Sequence, residues 1–228
     1  MLQFINSKKY VIYILLLFFL TTFNNLNLHK LNIFKINKIE IIQDSILAPD
    51  LTLKNKLIQD LDYLRDKNIF LIDSDQLELK LLKNEWISKF DIRKNYPSKL
   101  IINFEKTKPI ASIQVEGKNF LIGSNYKIIK PNSQEYNLPQ VFGKPKMSDF
   151  QKIIKEIELS KIDFKNVQNF YYFKSNRWNI KLDNNILIKL PSNDVSKSLN
   201  LAWKILKDEK ILNKNVINLS VKNQVIIN

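Results

Sequence analysis

The stretch NEWISKFDIRKNYPSKLIINFEKTKPIA, residues 84–111, decides the fold, because strand chemistry, turn chemistry and a boundary signal coincide in it. From Phe90 the apolar residues alternate as Phe90, Ile92 and then Tyr96, with Asp91 and Arg93 facing the other way, which is the period of a half-buried strand. Pro97 presets φ for a turn over Tyr96, Pro97, Ser98 and Lys99, and Leu100, Ile102 and Phe104 resume the alternation on a return strand. The stretch predicts a β-hairpin. Pro109 lacks a ladder donor and holds Lys108 extended, so a second module is expected to begin near Ile110.

Working upstream, KIEIIQ at residues 38–43 puts Ile39 and Ile41 on one face and reads as a first strand, followed by a polar loop through Pro49. Thr52 is the expected N-cap of a helix whose Leu53, Leu57, Leu61 and Leu64 form one apolar stripe. A short apolar run at 68–72 leads to Asp73 or Ser74, either of which can cap a second helix carrying Leu77, Leu81 and Leu82. With the hairpin this gives strand, helix, helix, strand, strand: a sheet covered by two helices on one face.

Downstream of Pro109 the texture changes to short strands. Residues 110–115 and 119–122 flank a turn at Glu116-Gly117-Lys118, residues 126–129 form a further extended piece, and residues 138–143 read as a loop bounded by Pro139 and Gly143. Ser148 and Gln151 have the spacing of a capping box ahead of Phe150, Ile153, Ile154 and Ile157. An antiparallel meander is expected through residues 167–173, Trp178-Ile180-Leu182 and Ile186-Ile188-Leu190. A helix with Val195, Leu199, Ala202 and Leu206 on one stripe follows, and residues 216–221 give a last strand with Ile217, Leu219 and Val221 together. The fold class is α+β: a first module with its helices, then a mainly antiparallel β-domain with two flanking helices.

At the N-terminus, Lys8 and Lys9 precede the uncharged run YVIYILLLFFLTTF at residues 10–23. Carried on to Leu28 it predicts a transmembrane helix of about 29 Å, close to the roughly 30 Å hydrocarbon core. A cleaved signal peptide is the rival reading, but TTFNNLNL offers no small-x-small cleavage site, which favours an uncleaved anchor. Lys30, Lys35 and Lys38 balance Lys8 and Lys9, so charge does not orient the span. A nine-residue tail is too short to fold, and this points to a type II arrangement with the bulk of the chain outside the cytoplasm.

The formal charge of +14 in 228 residues is spread along the chain rather than gathered in a stripe, so nucleic acid is not the expected partner. The chain has no cysteine, three glycines and one histidine. Thiolate metal sites, thiol nucleophiles, Gly-rich phosphate loops and Ser-His chemistry are therefore unsupported, and no catalytic, cofactor or metal residue is assigned. His29, just past the apolar run, reads as an interfacial residue. Two carboxylates, all that glycoside hydrolysis needs, remain possible in any sequence. Trp86, Trp178 and Trp203 read as core.

The segments Glu85-Trp86-Ile87, Arg93-Lys94-Asn95-Tyr96-Pro97, Leu100-Ile101-Ile102, Glu105 and Lys108-Pro109-Ile110-Ala111 resemble the closing hairpin of a POTRA domain. Leu138-Pro139 with Gly143, then the run from Asn176 and Arg177 through Trp178 to Asn184, then Ile217-Asn218-Leu219, resemble in order the β-domain of the bacterial cell-division family FtsQ/DivIB. Asn218 stands where the family usually has Asp, and Ser220 where it often has Arg.

The resemblance implies a cytoplasmic tail at 1–9, an anchor at 10–28, a POTRA domain at 34–107 and a β-domain at 108–228. It also implies a divisome scaffold with no enzymatic activity, whose β-domain binds the coiled-coil division proteins FtsB and FtsL and helps control septal peptidoglycan synthesis. The sequence ends at Asn228, so contacts from a longer tail are not expected. The expected partner-binding residues are Arg177, Ile217, Asn218, Leu219, Ser220 and Val221, the last strand accepting a partner strand if it lies at a sheet edge. The alternatives are a membrane-tethered peptidoglycan hydrolase and a POTRA chaperone of envelope assembly, the latter disfavoured because no β-barrel follows.

Overall fold

Short alternating strands need partners before they are stable, and the chain supplies them in two separate units, one ending at Lys106 and one beginning at Thr107. The computed structural model describes residues 7–22, 32–44, 50–131, 134–208, 214–221 and 224–228. Helix α1 runs Ser7–Thr22, and residues 10–20 expose large apolar side chains all round it. Among the described residues no helix is long and apolar enough to cross a membrane. The part of the expected span beyond Thr22, together with His29, lies outside the described residues.

In the first unit, β1 (Lys38–Gln43), α2 (Leu51–Leu61), α3 (Ser74–Leu82), β2 (Ile87–Asn95) and β3 (Lys99–Lys106) follow the expected order. The sheet order is β1-β3-β2, with β1 parallel and β2 antiparallel to β3. Phe90 faces Phe104 and Ile92 faces Ile102 across the hairpin, and the Tyr96–Pro97 peptide in its turn is cis. Leu53, Leu57 and Leu61 from α2 and Leu77 and Leu81 from α3 are buried against Ile41, Leu100, Ile102 and Phe104 of the sheet.

The N-cap of α2 is Asp50 rather than Thr52. Its Oδ1 accepts from the Leu53 N–H at 2.9 Å while its Oδ2 holds Lys106 Nζ at 2.6 Å. A carboxylate serves the helix terminus and the strand cation together, which a hydroxyl cannot do. Burial opposes ionisation of Asp50, but the bonds from Lys106 and the Leu53 N–H prevail and hold its carboxyl below the ordinary value. A depressed native value contributes stability above the free-aspartate value of roughly 3.9, and that contribution is lost as pH falls through the lower native value. Asparagine still caps the helix but gives up the charge that faces Lys106, so Asp50→Asn is expected to lower the urea midpoint at pH 7 by the equivalent of about 1 kcal/mol and to flatten its dependence on pH below 4.

In the second unit the strands form one nine-stranded mixed sheet, together with the helices α4 (Met147–Glu158) and α5 (Val195–Leu206). Its strands are β4 (Pro109–Val115), β5 (Lys118–Gly123), β6 (Ile128–Ile129), β7 (Gln140–Phe142), β8 (Val167–Phe173), β9 (Arg177–Leu182), β10 (Leu187–Lys189), β11 (Val216–Asn218) and β12 (Ile226–Ile227). They lie in the order β12-β11-β10-β9-β8-β7-β4-β5-β6. Phe150, Ile153, Ile154 and Ile157 of α4 and Leu199 and Ala202 of α5 bury against one face, where Phe170 and Trp178 meet edge to face at 6.1 Å.

Three local expectations are corrected. Gln140–Phe142, read as a loop, is an interior strand parallel to both β4 and β8, with Val141 buried. A three-residue strand is too short for a period to show, and Gly143 beyond it (φ +97°) comes so close to the Tyr172 carbonyl that a Cβ would sit 2.6 Å from it. Ser148 does not cap α4; the N-cap position is Lys146, with no side-chain bond. The extended piece at 126–129 shrinks to Ile128–Ile129, because Tyr126 takes a positive φ in the preceding turn.

Candidate partner-binding site

Asp183-Asn184-Asn185 turns β9 back into β10, and Lys174-Ser175-Asn176 turns β8 into β9, with Asn176 at φ +56°. That second turn sets Arg177. The Tyr172 hydroxyl lies 2.7 Å from Asn176 Oδ1 and 3.3 Å from Asp149 Oδ2, so it ties the turn to helix α4. Burial, and then the Asp149 carboxylate, push this phenol above its ordinary value, which keeps it a donor. Arg177 opens β9, its guanidinium 5.3 Å from the Phe173 ring, and its Nε is buried without a hydrogen-bond partner among the described residues.

A groove of about 890 Å³ lies over this arginine. Its wall includes Ser175, Asp194, Leu219, Ser220, Val221 and Val225. Asp194, at φ +54° ahead of α5, is exposed and lies 3.1 Å from Lys197. Of the six residues expected from sequence, four meet here: Arg177, Leu219, Ser220 and Val221.

The other two do not. Ile217 is 0% exposed and belongs to the core. The Asn218 side chain turns back on its own chain, accepting from the Ser220 N–H at 3.0 Å and the Ser220 hydroxyl at 2.7 Å. That local turn stops the strand at Asn218 instead of Val221. Leu219, 6% exposed, still donates its N–H to the Lys189 carbonyl at 2.8 Å and packs inward.

The last expected strand is also not an edge. β11 pairs in parallel with β10 and antiparallel with β12, which sequence reading missed although Val225, Ile226 and Ile227 form an apolar run. β12 is the outer strand. Val216 and Asn228 exchange backbone bonds, and Asn218 faces Ile226, so by alternation the backbone groups of Val225 and Ile227 point away from β11.

Residues 34–106 match the sequence model of the POTRA domain, FtsQ-type, and residues 111–220 match that of the cell division protein FtsQ/DivIB, C-terminal. The chain belongs to the FtsQ/DivIB family. Among its relatives, the cell division protein FtsQ of Bradyrhizobium diazoefficiens is 24% identical over 156 residues, which is 66% of this chain and 44% of that protein. FtsQ of Rickettsia felis is 25% identical over 68% of this chain and 59% of its own length, and FtsQ of Rickettsia bellii 24% over 70% and 60%. The match thus spans between 44% and 60% of these relatives' length. Both matched family segments fall within the structural units described above, and the second contains Arg177 and residues 217–220.

Proposed function

We propose that this chain is a membrane-anchored scaffold of the bacterial division machinery, without enzymatic activity, whose second unit binds FtsB and FtsL and helps control septal peptidoglycan synthesis. The domains are a cytoplasmic tail at 1–9, a signal anchor at 10–28, a POTRA domain at 34–107 that engages other divisome proteins, and a β-domain at 108–228. Membership of a family of cell division proteins supports the role. The anchor is supported by α1: its apolar side chains are exposed on every face, which suits lipid and no soluble packing. Its described 16 residues reach about 24 Å, and continuation to residue 28 brings it near the roughly 30 Å of a hydrocarbon core. The topology is single-pass type II in the inner membrane, with the two units in the periplasm and the protein concentrated at the septum.

The observation that carries partner binding is the buried, unpartnered Nε of Arg177 in a groove that ends at the outer strand β12. An incoming segment can pair its backbone with the outward groups of Val225 and Ile227 while a carboxylate on it meets Arg177. Val225→Pro tests the first half, because proline removes an outward donor and leaves the bonds between β12 and β11 intact. Titration of the variant with the purified FtsB–FtsL pair is expected to give a Kd weakened about tenfold or more, the effect of losing about 1.4 kcal/mol, with unchanged thermal unfolding. Equal affinity in variant and parent would remove β12 from the interface.

A further inference from the structure

The first unit carries an aromatic and aliphatic patch that its core does not use. Phe70 is 47% exposed, Leu71 68% and Tyr96 53%. The three belong to one surface, since Phe70 stacks on Tyr96 at 4.9 Å and meets Phe34 edge-on at 5.1 Å. Ile33, beside Phe34 in sequence, is exposed as well. Large apolar groups gathered in the open mark a surface that something covers.

Topology says which end of the unit this is. Lys35 bridges to Asn68, the Ile36 N–H donates to the Lys67 carbonyl, and the Asn37 N–H donates to the Ser98 carbonyl. The patch therefore surrounds the point where the chain arrives from the direction of α1. The chain leaves the sheet at Lys106, eight residues along β3 and about 25 Å away at the strand rise. Only nine residues separate Thr22 from Asn32, a tether of at most about 35 Å. We propose that this end of the first unit rests on the lipid surface, with Leu71 and Phe70 entering the headgroup boundary and the Tyr96 hydroxyl facing water.

The inference rests on the anchor reading of α1, which holds the tether at the bilayer. Tyrosine and phenylalanine suit such a boundary, being apolar in the ring and, for tyrosine, polar at the tip. Among the described residues Lys35 and Lys67, beside the patch, form no ion pair, and Lys67 Nζ lies over the Tyr63 ring at 4.9 Å. Together with the +14 charge of the chain they favour an anionic surface over a neutral one. A protein partner covering the same patch is the competing occupant.

The absence of native cysteine allows single-site labelling. Leu71→Cys and, as a reference on the exposed side of β2 near the exit end, Lys89→Cys are labelled with an environment-sensitive fluorophore in the full chain. Each is reconstituted into phosphatidylglycerol and phosphatidylethanolamine vesicles carrying a shallow spin-labelled lipid. Six residues of strand, about 20 Å, separate Lys89 from Asn95 at the patch end. The expected result is flotation with the vesicles, a blue-shifted label at position 71, and quenching there several-fold greater than at position 89. Flotation with equal quenching at both positions overturns the surface contact and leaves the anchor standing. No flotation overturns both.

Discussion

Leu219→Asp is expected to destabilise the second unit by about 3–5 kcal/mol, enough to remove its cooperative unfolding transition. From sequence alone the same substitution is expected to block partner binding in a folded domain, because Leu219 alternates on a strand that could be an edge. The structure reverses that expectation. Leu219 is 6% exposed, its N–H is committed to Lys189, and its side chain joins Ile217, Ile188 and Leu190 in the core beneath α5. A carboxylate turned in among these apolar side chains must stay protonated or force the site open. Circular dichroism melts of variant and parent check this; a melt within a degree of the parent would show that Leu219 is not core. Loss of binding in this variant would consequently say nothing about an interface.

Arg177→Glu is expected to do the opposite, weakening capture of the FtsB–FtsL pair by about a hundredfold or more, in line with the 2–5 kcal/mol seen when one member of a desolvated charge pair is removed. Stability should hold or rise. Among the described residues Arg177 makes no ion pair and its buried Nε has no hydrogen-bond partner, so the fold gives up little when it is replaced. The measurement is a Kd from titration at two salt concentrations alongside a thermal melt. Undiminished affinity with a normal melt would place the arginine outside the interface. A lowered melting temperature would show that its contact with Phe173, at 5.3 Å, supports the turn rather than a partner.

Much of the fold was legible in the residues. The hairpin at 84–111 was readable because Phe90, Ile92, Leu100, Ile102 and Phe104 repeat with period two on both sides of a proline turn, and the structure pairs Phe90 with Phe104 and Ile92 with Ile102. The leucine stripes of α2 and α3 and the isoleucine stripe of α4 were readable because a helix buries one face and the spacing records it. Caps were less legible. Thr52 and Ser148 have the right chemistry, but Asp50 wins where Lys106 arrives from 56 residues away, a contact with no trace in the local sequence.

The candidate site was half legible. Arg177 and residues 219–221 could be named in advance, yet which of them face solvent depended on what lies beside them. The sequence by itself determined the two α+β modules, their boundary near Lys106 and Pro109, and the faces of the long elements, because those follow from periodicity and from the backbone limits of proline. Only the tertiary structure decided that β7 enters the middle of a sheet, that β12 takes the edge from β11, and that Leu219 is core while Arg177 is left unpaired. The physical reason is that a strand of two or three residues has too few side chains to show a period, and its hydrogen-bonding partner is chosen by distant chain that local sequence does not record.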